Sequence, residues 1–319
     1  MRFNPSRRDV LKAGAAVALP MLGASPSARA TTDTPAFAPT VGVSTLGFPN
    51  HTNQELAREL TANGVDAIQL FLVQQDSKYW VYNGRNDVSA LDAARCSAIA
   101  DIYRSSGISI HSIGVYTNLV HADAEEREAN LAYFEEMFRI GAAMDVRTLV
   151  TEAGHYEVDA LGHGVPHYFR EEVWRQMVDT GRELAAMAER HDGVVLFEPF
   201  YRGFFASAKR TRLFLEAVDS PRIRALLDPA NLIELNDLGE MFAQLAPYID
   251  CLHAKDRKLH VDRGVAAGQG DLDYNEFVAL AARYVPHAPF ILEYVGLDDY
   301  KPALALLQKA VRHYNTGVS

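Results

Sequence analysis

The chain has 319 residues, 48% hydrophobic and 23% charged, with a formal net charge of -10. That composition is ordinary for a globular protein and excludes disordered, collagen-like, coiled-coil and small disulfide-stapled classes. The acidic balance, with no basic run long enough to track a phosphate backbone, excludes nucleic acid as a partner. Two cysteines, Cys96 and Cys251, are too few for a Cys-rich zinc site or a disulfide framework.

Residues 1–30 read as an address. Ser6-Arg7-Arg8-Asp9-Val10-Leu11-Lys12 is followed by a mildly apolar stretch over 13–24 and by Ala28-Arg29-Ala30, an A-x-A cleavage pattern. The paired arginines resemble a twin-arginine export signal, with Val10 at the position usually held by Phe. The resemblance implies a periplasmic or secreted protein that meets the twin-arginine export machinery already folded, with its metal loaded before export. Removing 1–30 takes five of the 31 basic and one of the 41 acidic residues and leaves a net charge of -14. Residues 31–40, with Pro35 and Pro39, read as a linker without structure. No segment reaches the roughly 18 uninterrupted apolar residues of a membrane span, so no stable membrane insertion is expected.

From Val41 onward short apolar runs alternate with 3.6-period stretches. Strands are predicted over 41–46, 67–72, 108–115, 147–152, 194–198, 223–228, 249–255 and 290–294. Their near-continuous Val, Ile and Leu content suits parallel strands buried on both faces. Thr52 and Glu55 form a capping box ahead of Leu56 and Leu60, and Asn63-Gly64 closes that helix. Long amphipathic helices are predicted over 125–144 and 174–190. Eight strand–helix repeats across a domain spanning 41–319 predict an α/β fold, a single (β/α)₈ barrel of the kind that runs to about 250 residues or more. A doubly wound sheet would carry a Gly-rich phosphate loop after its first strand, and Ser44-Thr45-Leu46-Gly47-Phe48 is not one.

Active groups of such barrels sit at the C-terminal ends of strands. The last four strands end in Leu196-Phe197-Glu198-Pro199, Leu227-Asp228-Pro229-Ala230-Asn231, Cys251-Leu252-His253-Ala254-Lys255-Asp256 and Ile291-Leu292-Glu293-Tyr294. The gaps between Glu198, Asp228, His253 and Glu293 are 30, 25 and 40 residues, each about one βα unit, so the four side chains can converge above the barrel. An ionised group at the end of an apolar run is costly unless it is paired or bound to a cation. Three carboxylates and one imidazole suit Mn²⁺ or Mg²⁺, with Co²⁺, Fe²⁺ or Zn²⁺ as further candidates. Glu152, ending the fourth strand, is a candidate for a substrate hydroxyl or for proton movement. His111 on the third strand, placed inward by alternation, and Lys255 and Arg257 after the metal-site histidine are candidate substrate ligands. Trp80 and Tyr82, and His163, His167, Tyr168 and Phe169 in the loop 157–170, could line the mouth or stack on a substrate ring. Cys251 reads as a packed thiol.

The strand-end series L-F-E-P, L-L-D-P-A-N, C-L-H-A-K-D and I-L-E-Y resembles the xylose isomerase-like barrel superfamily. It is most similar to the branch of sugar isomerases and epimerases that holds tagatose and psicose 3-epimerases, inosose dehydratase-like and hydroxypyruvate isomerase-like proteins. The resemblance implies Glu198, Asp228, His253 and Glu293 as metal ligands, and Glu198 and Glu293 also as the acid/base pair. In tagatose-epimerase-like members a substrate-binding His stands three residues after the Asp ligand; that position is Asn231 here, a departure from the C3-epimerase pattern. A Gly-rich segment such as Gly268-Gln269-Gly270-Asp271 borders the site in many members, which implies a lid. Relatives are often dimers or tetramers, which implies a possible homo-oligomer.

A metal on neighbouring oxygens of a hydroxy-ketone would acidify the C–H between them and stabilise the resulting enediolate. Carboxylate proton transfer then gives epimerisation or isomerisation of a sugar or keto-sugar. The same chemistry on a 3-keto glycoside would give a lyase or hydrolase instead, and a non-catalytic sugar-binding barrel is a third reading. The superfamily's zinc endonucleases need a His-rich cluster and a basic surface, which this chain lacks.

Overall fold

The computed structural model of the chain describes residues 36–156, 165–261 and 263–317. The segment 1–30 read as an export signal, the part of the predicted linker up to residue 35 and His163 lie outside them. Eight parallel strands close into a barrel: β1 (Val41–Ser44), β2 (Ala67–Leu70), β3 (Ser109–Gly114), β4 (Thr148–Thr151), β5 (Val194–Phe197), β6 (Ile223–Leu227), β7 (Ile249–Arg257) and β9 (Phe290–Leu292). Each pairs with the next, and β9 closes the ring between β7 and β1. β8 (Gly264–Ala266) pairs antiparallel with the far end of β7.

Helices α1 (Asn53–Ala62), α2 (Ala93–Ser105), α3 (Ala124–Ala143), α4 (Val165–Tyr168), α5 (Glu171–Arg190), α6 (Ala208–Val218), α7 (Leu238–Leu245), α8 (Tyr274–Tyr284) and α9 (Tyr300–Thr316) connect the strands. The Thr52–Glu55 capping box opens α1, as its spacing predicts. Helix α5 starts three residues ahead of the predicted Trp174, because Glu171 and Glu172 bring negative charge to the positive end of the helix dipole. Before β1, Phe37 is clipped to α9: its N–H donates to Asn315 Oδ1 (2.8 Å) and its carbonyl accepts from Asn315 Nδ2 (2.8 Å). No helix among the described residues is long and apolar enough to cross a membrane.

Alternation along the strands sorts the apolar side chains into two layers. Val150, Leu196, Leu226, Cys251 and Ile291 pack with Phe71 and Tyr116 inside the barrel. Their neighbours Leu149, Val195, Leu227, Leu252 and Leu292 join the larger core between the sheet and the helices. Cys251 is buried in the inner layer, and burial pushes its thiol up, away from the reactive thiolate.

Seven of the strands stop one or two residues short of their predicted ends, because the parallel ladder runs out of partners at the rim. Glu152, Glu198, Asp228 and Glu293 each stand immediately past the last ladder residue, free to turn over the barrel mouth. β7 runs further than predicted, since β8 supplies the hydrogen-bond partner that the barrel no longer offers. Lys255 sits on the strand as predicted, and Arg257 sits on it too, not on a loop after it.

The base of the β7–β8 hairpin is tied by Asp256. Its carboxylate accepts from the N–H groups of Arg257 (2.8 Å), Gly268 (3.0 Å) and Leu272 (3.0 Å). A Cβ on Gly270 would lie 2.2 Å from Asp256 Oδ1, so only glycine fits beside this knot. These bonds hold the Gly-rich segment 268–272 against β7.

Phe214 of α6 packs edge-on against Phe205 (4.8 Å between centroids) and Phe197 (5.3 Å), with no exposed surface. Phe214→Ala should cost about 3–5 kcal/mol. A guanidinium unfolding curve should show a lower midpoint at unchanged slope, and an unmoved midpoint would refute the packing role.

Candidate metal centre and substrate cavity

Glu198, Asp228, His253 and Glu293 converge as their spacing requires: one ligand atom from each lies within 4.8 Å of the others, and all four residues are buried. His253 Nδ1 is 3.3 Å from Glu198 Oε1 and 3.6 Å from Glu293 Oε2. Its other nitrogen, Nε2, lies 2.8 Å from Gln69 Oε1 on β2. With Nε2–H donating there, Nδ1 is left to face the carboxylates, the arrangement a metal-ligating imidazole needs. Lys255 Nζ bridges Asp228 Oδ2 (2.6 Å) and Glu293 Oε2 (2.9 Å).

The set fits a divalent cation. Asp228 Oδ1 and His253 Nδ1 are buried with no hydrogen-bond partner, and buried polar atoms without partners are rare unless something else satisfies them. Three carboxylates and one imidazole are a hard, oxygen-rich donor set.

Electrostatics divide the carboxylates. Burial pushes the Glu198 carboxyl upward, but the charge and contact of His253, with Lys255 and the Tyr116 hydroxyl, overcome it and hold the group at about 2. For Asp228 burial prevails over the attraction of Lys255, and the carboxyl is raised to about 6. Burial disfavours the His253 imidazolium, yet Glu293 and Glu198 outweigh it and raise the ring to about 9. Burial, reinforced by the Glu198 charge, pushes Glu152 up to about 8.

The centre opens into a cavity of about 310 Å³. Its polar wall holds Glu152, Glu198, Asn231, Lys255, Arg257 and Glu293. Its apolar wall holds Leu46, Phe71, Trp80, Tyr82, Tyr116, Phe200 and Tyr294. Glu152 Oε2 accepts from the Tyr82 hydroxyl at 2.8 Å. Asn231, in the 3₁₀ turn after β6, donates to Glu198 Oε1 at 2.8 Å, so it orients a carboxylate from within the wall. Lys255 stands 4.4 Å over the Tyr294 ring.

Of the candidate substrate ligands Glu152, His111, Lys255 and Arg257, His111 is the one that does not line the cavity. The β2–β3 register passes from Ile110 to Ser112, leaving His111 as the extra residue of a bulge, with Nδ1 3.2 Å from Ser112 Oγ. Burial lowers its ring to about 4. Of the loop aromatics, Tyr168 is buried with its hydroxyl 3.1 Å from His155 Nδ1, and exposed Phe169 lies 5.1 Å from the Arg210 guanidinium; neither lines the cavity.

Gln69 and Tyr116 escaped the sequence reading. Tyr116 donates to Glu198 Oε2 at 2.5 Å and stacks on Phe71. The available signal was a lone Gln in the apolar run Ala67-Ile68-Gln69-Leu70, a polar side chain that a buried strand carries only when it has a partner.

With the barrel and its mouth described, the relationship is clear: the chain belongs to the xylose isomerase-like TIM barrel family, whose model matches residues 57–315. Among solved structures it is similar to a xylose isomerase-like TIM barrel protein from Mycobacterium smegmatis in complex with magnesium (17% identity, 88% of this chain and 98% of that one, TM-score 0.65). It is similar also to D-psicose 3-epimerase from Clostridium cellulolyticum H10 (14%, 85% and 99%, TM-score 0.66) and to 3-keto-D-glucoside 4-epimerase from E. coli (16%, 85% and 100%, TM-score 0.64). At these identities the likeness shows a shared fold. No curated protein matches the chain significantly.

Metal uptake should be pH-dependent with a definite sign. His253 must give up its Nδ1 proton to become a ligand, and its ring titrates at about 9. Affinity for Mg²⁺ or Mn²⁺ should therefore fall about tenfold per pH unit below that value, with proton release on binding. Calorimetry of metal-free protein in buffers of different ionisation enthalpy reads both; a pH-independent affinity would refute ligation by His253.

Proposed function

We propose that the protein is an exported, divalent-metal-dependent isomerase or epimerase of sugars, working by proton transfer between carboxylates and a bound hydroxy-ketone. The observation that carries this reading is the convergence of Glu198, Asp228, His253 and Glu293 at the floor of a cavity walled by aromatic rings. The likeness to psicose and 3-keto-glucoside epimerases supports a carbohydrate substrate. Mn²⁺ and Mg²⁺ are the preferred ions; bound, the ion would draw charge from two neighbouring substrate oxygens and acidify the C–H between them.

The chain's own residues divide the work. Glu198 and Glu293 follow β5 and β9, separated around the barrel by β6 and β7, so they reach a bound substrate from different sides. Glu198 is fixed by Asn231 at one oxygen and Tyr116 at the other. Glu293 is held by Lys255 at Oε2. One carboxylate removes the proton and the other returns it, to the same carbon for epimerisation or to its neighbour for isomerisation. Glu152, with its raised titration and its contact to Tyr82, can hold or supply a proton at the opposite wall. Phe71, Trp80 and Phe200 keep bulk water from the floor and offer faces for a sugar ring.

A second reading, cleavage of 3-keto glycosides by a lyase or hydrolase at the same centre, is favoured by one feature. Tyr82 and Tyr294 extend the aromatic wall outward and are each about half exposed, where an aglycone would lie. Export, read from residues 1–30, favours substrates met outside the cytoplasm, free sugars and glycosides among them.

Metal-loaded protein in D₂O with ketoses, aldoses and 3-keto glucosides, followed by proton NMR, tests both readings. Deuterium should appear beside a carbonyl, with the rate lowered about 10²–10⁴-fold in Glu293→Gln. Released aglycone would select cleavage. No exchange with any substrate, despite one bound metal per chain, would refute proton transfer and leave a sugar-binding barrel.

A further inference from the structure

The cavity holds one charged group that the chemistry above leaves idle. Arg257, the last residue of β7, lines the cavity and is only 2% exposed. Its guanidinium makes no ion pair and donates no hydrogen bond among the described residues, and Nε and Nη1 are both buried without a partner. Buried arginines are otherwise paired, because an uncompensated charge in a low-dielectric site is strongly unfavourable. The contrast lies within this chain. Arg224, which is more exposed, is held by Asp250 at 2.8 and 3.0 Å, and Arg222 by Glu189 and Asp192.

What holds Arg257 in place leaves its donors unused. The guanidinium carbon lies 4.7 Å from the centroid of the Tyr201 ring and 5.5 Å from that of Phe200. Ring faces fix a guanidinium without consuming its N–H groups. Asp256, next in sequence, points its carboxylate at backbone N–H groups and does not neutralise it. Nor does Lys255 compete for an incoming anion, since Asp228 and Glu293 already occupy its ammonium.

We propose that Arg257 is an anion subsite, and that the substrate carries a carboxylate or a phosphate ester beside its hydroxy-ketone. The inference rests on the cavity being the substrate site, as in the preceding section, and narrows the substrate from sugars in general to acidic sugars. A guanidinium with unused N–H donors at a desolvated site is the group that recognises carboxylate and phosphate. A neutral hydroxyl would satisfy the hydrogen bonds and leave the charge unbalanced.

The test measures binding, independently of turnover. Mg²⁺-loaded and metal-free full-length protein are titrated by calorimetry with D-fructose, D-fructuronate and D-fructose 6-phosphate. At least one of the two anions should bind ten- to a hundredfold more tightly than fructose in both forms of the protein. The tighter of the two identifies the anionic group. Arg257→Met should bring that ratio below threefold, and Arg257→Lys, which keeps the charge on a different geometry, should retain an intermediate ratio. The lysine variant also guards against a methionine variant that fails to fold. Failure of both anions to bind more tightly than fructose overturns the proposal, as does a preference that survives Arg257→Met. The solvent-exchange experiment stands apart: exchange with no anion preference removes only this inference, and anion preference with no exchange removes only the isomerase reading.

Discussion

Negative charge confined in an apolar shell is the constraint around which the top of this barrel is organised. Glu198, Asp228 and Glu293 are at most 5% exposed, and ionised carboxylates in such surroundings persist only against nearby positive charge. That charge comes largely from one strand. His253, Lys255 and Arg257 alternate along β7, which lies between β6 and β9; His253 and Lys255 contact the carboxylates at the ends of β5, β6 and β9, and Arg257 makes no ion pair among the described residues. A strand confined to the barrel would end near Lys255. Pairing with β8 carries β7 to Arg257 and gives each of the three cations a rigid backbone position.

Around that frame, uncharged neighbours set direction. Gln69 turns His253, while Asn231 and Tyr116 hold the two oxygens of Glu198. Tyr294 takes a left-handed backbone conformation (φ 56°), unusual for a bulky side chain, which sets its ring 4.4 Å from the Lys255 ammonium directly after Glu293. The site is thus preorganised by contacts from at least five strand ends, and Glu198 and His253 in particular have little freedom to turn away.

How much of this can be read from residues alone follows from periodicity. Glu198, Asp228, His253 and Glu293 each close an apolar run, and strand-to-strand spacing repeats with the βα unit, so both barrel and cluster are legible. Tyr116 has its partner far along the chain and nothing local marks it, while Gln69 is marked only as a lone polar residue in an apolar run, which does not name its partner. His111 misled because alternation gives a residue's facing and not its depth: it stands at a register shift of the β2–β3 ladder, beside Ser112 and away from the cavity wall. β8 is three residues long, below the length at which any alternation can be recognised. The burial of Arg257 was hidden for the same reason: only the β8 pairing converts an apparent loop position into a strand position.

The Asp256 knot makes the outer wall of the mouth a modular part. Because one carboxylate gathers Arg257, Gly268 and Leu272, the hairpin is closed at its root, and the exposed side chains of tip residues Leu259 and Val261 take no part in those three bonds. Loops of other lengths and compositions could be grafted between β7 and β8 without disturbing the cationic face of β7. The hairpin is therefore the natural place to diversify this barrel toward bulkier substrates, with its chemical floor left intact.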